Sequence, residues 1–201
     1  AIVHQLRRED EAVLERAQAA SFLATERKVV FWRGWGISLQ GWSLAQQGQG
    51  EEGITRMQQG LAIPMLMNRT YFLALLAEIY GQVGQTAAAL AVLVEALAEV
   101  NGTGERWYEA ELVRQYGERL SATGLAEGEV ESHFHQALAI ARRQGARSLE
   151  LRAAVSLARL WQRQGKRTEA HQILSTIYSW FTEGFDTLDL QEAKALLETL
   201  A

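Results

Sequence analysis

The chain has 201 residues, one proline, no cysteine and a net charge of −4 at pH 7, from 20 Lys and Arg against 24 Asp and Glu. Without cysteine there are no disulfides and no thiolate metal sites, a usage that fits a reducing compartment. The slightly acidic balance offers no general attraction for a phosphate backbone, so nucleic acid is not an expected partner. Ala, Leu, Glu, Gln and Arg dominate, and Val and Ile never alternate with polar residues over a strand length, which predicts an all-α chain. No charged-then-apolar leader opens it, and apolar runs such as Tyr71–Ala77 fall far short of a bilayer span. The expectation is a cytoplasmic protein with no membrane partner.

In chain order, residues 3–26 form a first predicted helix with Ala12, Ala19 and Ala20 on one face. It has the look of the second helix of a hairpin whose first is missing, which suggests a piece of a larger protein. Hairpins are expected at 28–64, 69–101, 106–144 and 147–182, with a capping helix at 187–200. Each hairpin repeats a spaced pattern: a small residue, a bulky one three later and a glycine seven later. The instances are Gly41, Leu44, Gly48; Ala77, Tyr80, Gly84; Gly117, Leu120, Gly124; and Ala158, Trp161, Gly165. A second signature follows each glycine at Met57 and Gly60, Leu93 and Ala96, Phe134 and Ala137, and Leu174 and Ile177. The period of 36 to 41 residues (77−41, 117−77, 158−117) is that of stacked helical hairpins forming a single solenoid.

The small positions have a packing reason, since a side chain larger than methyl holds two crossing helices apart. Gly41, Ala77, Gly117 and Ala158 therefore let each hairpin close, and Ala89, Ala96, Ala137 and Ala170 do the same on the second helices. Gly48, Gly50, Gly84, Gly124 and Gly165 supply the turns. Ser148 and Asp186 are expected N-caps. Trp180, Phe181 and Phe185 are expected in the core, covering the end of the stack. One interval is short: Gly60 to Ala77 is 17 residues (77−60), against 21 from Ala96 to Gly117 (117−96) and from Ala137 to Ala158 (158−137). The deficit falls around Ile63-Pro64-Met65, as a shortened connection or as about four residues absent from the chain, about one helical turn.

Leu76-Ala77 with Tyr80, Gly84, Ala89, Leu93 and Ala96 resembles a tetratricopeptide repeat without its closing proline. More specifically, residues 104–112 (GERWYEAEL), 141–170 (ARRQGARSLELRAAVSLARLWQRQGKRTEA), 180–200 (WFTEGFDTLDLQEAKALLETL) and 72–85 (FLALLAEIYGQVGQ) resemble one family. It is the C-terminal repeat region of bacterial multidomain proteins that join a class III adenylate/guanylate cyclase, a signal-transduction ATPase and tetratricopeptide repeats. The resemblance implies a right-handed helical-hairpin solenoid acting in signal transduction. It carries no catalytic residue onto this chain, whose sequence contains neither a cyclase nor a P-loop.

The remaining motifs do not amount to chemistry. Gly48-Gln49-Gly50-Glu51-Glu52-Gly53 is a literal GxGxxG, but it follows a helix and places two carboxylates where phosphate would approach, so it is a turn. His133 and His135 are two apart on a helix and point away from each other, so they cannot share a metal. No enzyme, cofactor or metal is expected. In such solenoids the first helix of each hairpin lines a concave groove. Counted from the small residues, its positions are Trp35, Ser38, Trp42 and Gln46; Tyr71, Ala74, Glu78 and Gln82; Glu111, Arg114 and Glu118; and Arg152, Val155, Arg159 and Arg163. This groove would run from aromatic through acidic to basic. The arginines suit a carboxylate-bearing peptide, because guanidinium pairs bidentately with carboxylate. Equally, Glu111 could pair with Arg152 and Glu118 with Arg159 as structural ion pairs, leaving Arg114 and Arg163 without matching acids. The expected function is a regulatory module binding a protein or peptide segment, within its own polypeptide or outside it. The alternatives are a small-molecule sensor with a pocket near Trp35 and Trp42, or self-association through the N-terminal face.

Overall fold

In the computed structural model, residues 1–65, 67–124 and 126–201 are described, and among them there are eleven helices and no strand. They are α1 (Ile2–Leu6), α2 (Asp10–Glu26), α3 (Val30–Gln46), α4 (Gly50–Leu61), α5 (Arg69–Gln82), α6 (Thr86–Thr103), α7 (Glu109–Ser121), α8 (Glu127–Gln144), α9 (Arg147–Arg163), α10 (Arg167–Tyr178) and α11 (Leu188–Leu200). They fall into two compact units, Ala1–Glu105 holding α1 to α6 and Arg106–Ala201 holding α7 to α11.

Turn chemistry sets the helix ends. Within the four hairpins from α3 to α10, the turn glycines Gly48, Gly84, Gly124 and Gly165 all take φ between +78° and +84°, which a Cβ would disfavour. Gly50 has a different reason: it is the first residue of α4, and a Cβ there would lie 2.3 Å from Val83 Cγ1. Gly53, the third glycine of the GxGxxG run, faces the Gly41 carbonyl, so all three glycines have structural reasons. At three junctions a non-glycine residue is left-handed: Arg8 at φ 61°, Lys28 at 56° and Asn68 at 63°. Lys28→Gly should therefore raise stability by roughly 1 kcal/mol, seen as a higher urea midpoint. An unchanged or lower midpoint would mean that the bend at Lys28 stores no strain.

Arg8 also marks a correction. The segment expected as one helix over 3–26 is broken at Arg7-Arg8-Glu9, and the polar run there ties itself together. Arg7 Nε donates to Glu9 Oε1 at 2.5 Å, and His4 Nδ1 lies 2.5 Å from Glu9 Oε2. The Arg7 hydrogen bond, then the one with His4, holds the Glu9 carboxyl below its ordinary range. Two capping residues shift as well. Ser148 lies inside α9, whose N-cap is Ala146, and α11 is preceded by Thr187 instead of Asp186.

The small residues sit where helices cross. A Cβ on Gly41 would lie 2.6 Å from the Met57 nitrogen and 2.7 Å from the Gly53 carbonyl oxygen. One on Gly117 would lie 3.0 Å from His133 Cβ. Ala77, Ala89, Ala96, Ala137, Ala158 and Ala170 are all buried. Bulky positions reach back to the preceding second helix: Gln58 Nε2 donates to the Tyr80 hydroxyl at 2.9 Å, and Trp161 Nε1 donates to Glu131 at 2.9 Å. Burial would raise the Glu131 carboxyl, but that indole bond with Lys166 and His135 outweighs it and lowers it.

The short interval near Pro64 is taken from a helix. α4 has 12 residues where α6 and α8 have 18 each. The expectation for the aromatic cap is overturned, since Trp180 is 42% exposed and Phe185 48%. Trp180 instead carries the Arg147 guanidinium 3.9 Å above its ring. Arg147 and Arg142 also donate to the fully buried Glu150, tying the end of α8 to the start of α9. Against the expectation from the apolar runs, α6 is long and apolar enough by composition to cross a membrane. Its buried stripe is Ala89, Leu93, Ala96 and Val100, and α5 is its hairpin partner.

Candidate functional site

In the first unit, α3 meets its neighbours on three sides. Gly34, Ser38 and Gly41 face α4, as Gly60 shows: a Cβ there would lie 2.2 Å from Ser38 Oγ. Ser38 is therefore a helix-contact residue and not a groove residue. Gly36, Gln40 and Ser43 face α2, where Gln40 Nε2 donates to Ser21 Oγ at 2.9 Å and Ser43 Oγ to the Asp10 carbonyl at 2.7 Å. The third side carries Trp35, Leu39, Trp42 and Gln46, spaced four, three and four apart along one stripe. It runs along α5: Trp35 packs on Phe72 with ring centroids 5.6 Å apart, and Gln46 exchanges amide hydrogen bonds with Gln82 at 3.2 and 3.4 Å. Gln46 and Gln82 also donate to Glu78, at 3.5 and 3.4 Å.

The aromatic end of the expected groove is interior. Trp42 and Tyr71 are 0% exposed, and Trp35 is buried among Phe31, Trp32 and Phe72. Burying rings this large between first helices contributes more than leaving them to solvent, so among the described residues Trp35 and Trp42 are packed core and not pocket lining. The polar rung of half-buried Gln46 and Glu78 and exposed Gln82 is the part of this face that reaches the surface.

In the second unit the expected groove positions come together as an ionic network across α7, α9 and α11. Glu111, 3% exposed, accepts Arg114 Nη2 at 2.6 Å on one oxygen and Arg114 Nε at 2.8 Å on the other, with Gln115 Nε2 at 3.1 Å. Arg114 Nη1 donates to Glu118 at 2.5 Å and to Ser156 Oγ at 3.0 Å, and Ser156 donates on to Glu118 at 2.8 Å. Arg152 donates to Asp189 at 2.7 Å and stands 3.9 Å from Glu111. Arg159 reaches Glu192 at 3.2 Å.

These distances decide between the two readings of the arginines. Arg114 does have acids, on its own helix, and Arg159 pairs with Glu192 instead of Glu118. Among the described residues only Arg163 of the four arginines has no ion pair, and it is exposed. Burial would raise the Glu111 carboxyl, but the charge and hydrogen bonds of Arg114, with Arg152 and Gln115, outweigh it and hold it at about 2. Burial would likewise lower Arg114 and Arg152. Glu111 reverses that for both, helped by Glu118 at Arg114 and by Tyr108 and Asp189 at Arg152. The network holds three first helices in register and has little guanidinium left for a ligand. Asp189 and Glu192 were absent from the expected site. Counted from Ala195 they are the same six-before and three-before positions, so reading the last helix as another first helix, not only as a cap, would have found them.

Paired helices with small residues at their crossings, and within each unit first helices linked by side-chain rungs, make a tetratricopeptide-like fold of helical repeats. Solved structures agree. A kinesin light chain-like protein of Podosopora anserina with nearly identical TPR-like repeats superposes with a TM-score of 0.62 at 20% identity, over 84% of this chain and 85% of that one. BtubC (BKLC) from P. vanneervenii gives 0.67 at 14% identity, over 100% of this chain and 90% of that one. At these identities the likeness is one of fold. No protein-family model and no curated protein matches the chain.

Proposed function

We propose that the chain is a non-catalytic interaction module whose first-helix faces take a segment of a protein, and that this binding regulates an ATPase or cyclase linked to it. Repeats of this fold serve generally as interaction scaffolds, contributing shape and spread-out contacts. The observation that carries the reading is the rung Gln46–Glu78–Gln82, with Gln82 exposed and the other two half-buried. Two primary amides and a carboxylate, already bonded to one another at 3.2 to 3.5 Å, form a polar cluster whose exposed member Gln82 can exchange a hydrogen bond with a peptide main chain.

The test is a peptide-display selection on the folded chain, followed by Kd measurement for the enriched sequences. The double variant Gln46→Ala, Gln82→Ala should weaken them about tenfold, while Arg163→Glu leaves them unchanged. No enrichment, or equal binding by the double variant, would sink the proposal. In a parent protein carrying the ATPase or cyclase, the same double variant should shift nucleotide turnover by the selected peptides.

A further inference from the structure

We infer that α1 is an internal ligand of the first unit, seated against the first-helix face and replaceable there by a peptide carrying an amide side chain between aliphatic ones. The inference rests on the reading of that face as a peptide site. Gln5 is the buried residue of α1, only 2% exposed, although glutamine belongs to the mostly exposed residue types. Its side-chain carbonyl accepts the Tyr71 hydroxyl at 2.6 Å, a contact 66 positions apart in sequence. Tyr71 shares its stripe of α5 with Glu78 and Gln82, seven and eleven residues on, so Gln5 reaches the face that bears the polar rung while α1 itself packs on α2.

Two features make this occupant exchangeable. A helix of five residues has no stability of its own and persists only by docking. It also docks with its aliphatic Val3 68% exposed.

The test uses the intact chain and a labelled synthetic peptide of its residues 1–9, AIVHQLRRE. Gln5→Ala in the chain removes the resident side chain and should let the peptide bind about tenfold more tightly than it binds the natural chain. Adding Tyr71→Phe should erase the gain, with helix content unchanged. A peptide carrying its own Gln5→Ala should bind neither chain. Equal affinity for the natural and Gln5→Ala chains overturns the inference. So does an absence of saturable binding while display-selected peptides still bind, which leaves the interaction-module reading standing. If neither kind of peptide binds, both readings fall. Hydrogen exchange gives a second readout: a display-selected peptide should speed exchange at residues 2–6 severalfold in the natural chain, and unchanged protection there overturns the inference.

Discussion

Gly41→Leu is expected to lower the stability of the first unit by roughly 3 kcal/mol or more, read as a lower urea midpoint. The cause is backbone, not side chain. The first carbon of any side chain at this position would lie 2.6 Å from the Met57 nitrogen and 2.7 Å from the Gly53 carbonyl oxygen, and neither can rotate away. Relief requires α3 and α4 to separate, which would also disturb the Gly34–Gly60 approach, where a Cβ on Gly34 would lie 3.1 Å from the Gly60 carbonyl oxygen. Gly102→Ala is the matched control. It lies in α6 with nothing within 4 Å of its added Cβ, so it should be neutral or slightly stabilising. Equal midpoints for Gly41→Leu and Gly102→Ala would mean that the helices are not held as close as this packing requires.

That crossing was legible in the sequence because a close helix contact leaves a compositional mark: only glycine or alanine fits, and the period repeats it. The turn glycines were legible for the same kind of reason, since a left-handed residue is costly for any side chain with a Cβ. Legibility ended where the determinant was tertiary. Trp42 and Tyr71 occupy the counted groove positions, yet helical phase does not say whether a neighbour covers them. Arg114 seemed without an acid because pairing was sought across helices, while Glu111 and Glu118 stand three and four residues away on its own helix. The break at Arg8 left no glycine or proline to betray it. The docking of Gln5 on Tyr71 joins residues that no local pattern connects.

The largest electrostatic effect is expected at Glu111. Glu111→Ala strips the half-buried Arg114 and Arg152 of a shared counter-charge, leaving each with one acid, Glu118 and Asp189, and should cost roughly 2–3 kcal/mol, the loss of several charge-assisted hydrogen bonds in a largely desolvated cluster. A double variant, Glu111→Leu with Arg114→Met, removes both charges of the tightest pair and should recover much of the loss, since apolar groups of similar volume often replace buried ion pairs without penalty. The pH dependence follows from the sign of the shift. The folded carboxyl titrates at about 2 against an ordinary 4.5, so its contribution is fully present above about pH 4.5 and drains away as pH falls toward 2. Across that window Glu111→Gln should flatten the dependence of unfolding free energy on pH by up to one proton, about 1.4 kcal/mol per pH unit. Superimposable pH profiles for the natural chain and Glu111→Gln would mean that the carboxyl is not held ionised by its two arginines. They would also leave α7, α9 and α11 in register for some reason other than this network.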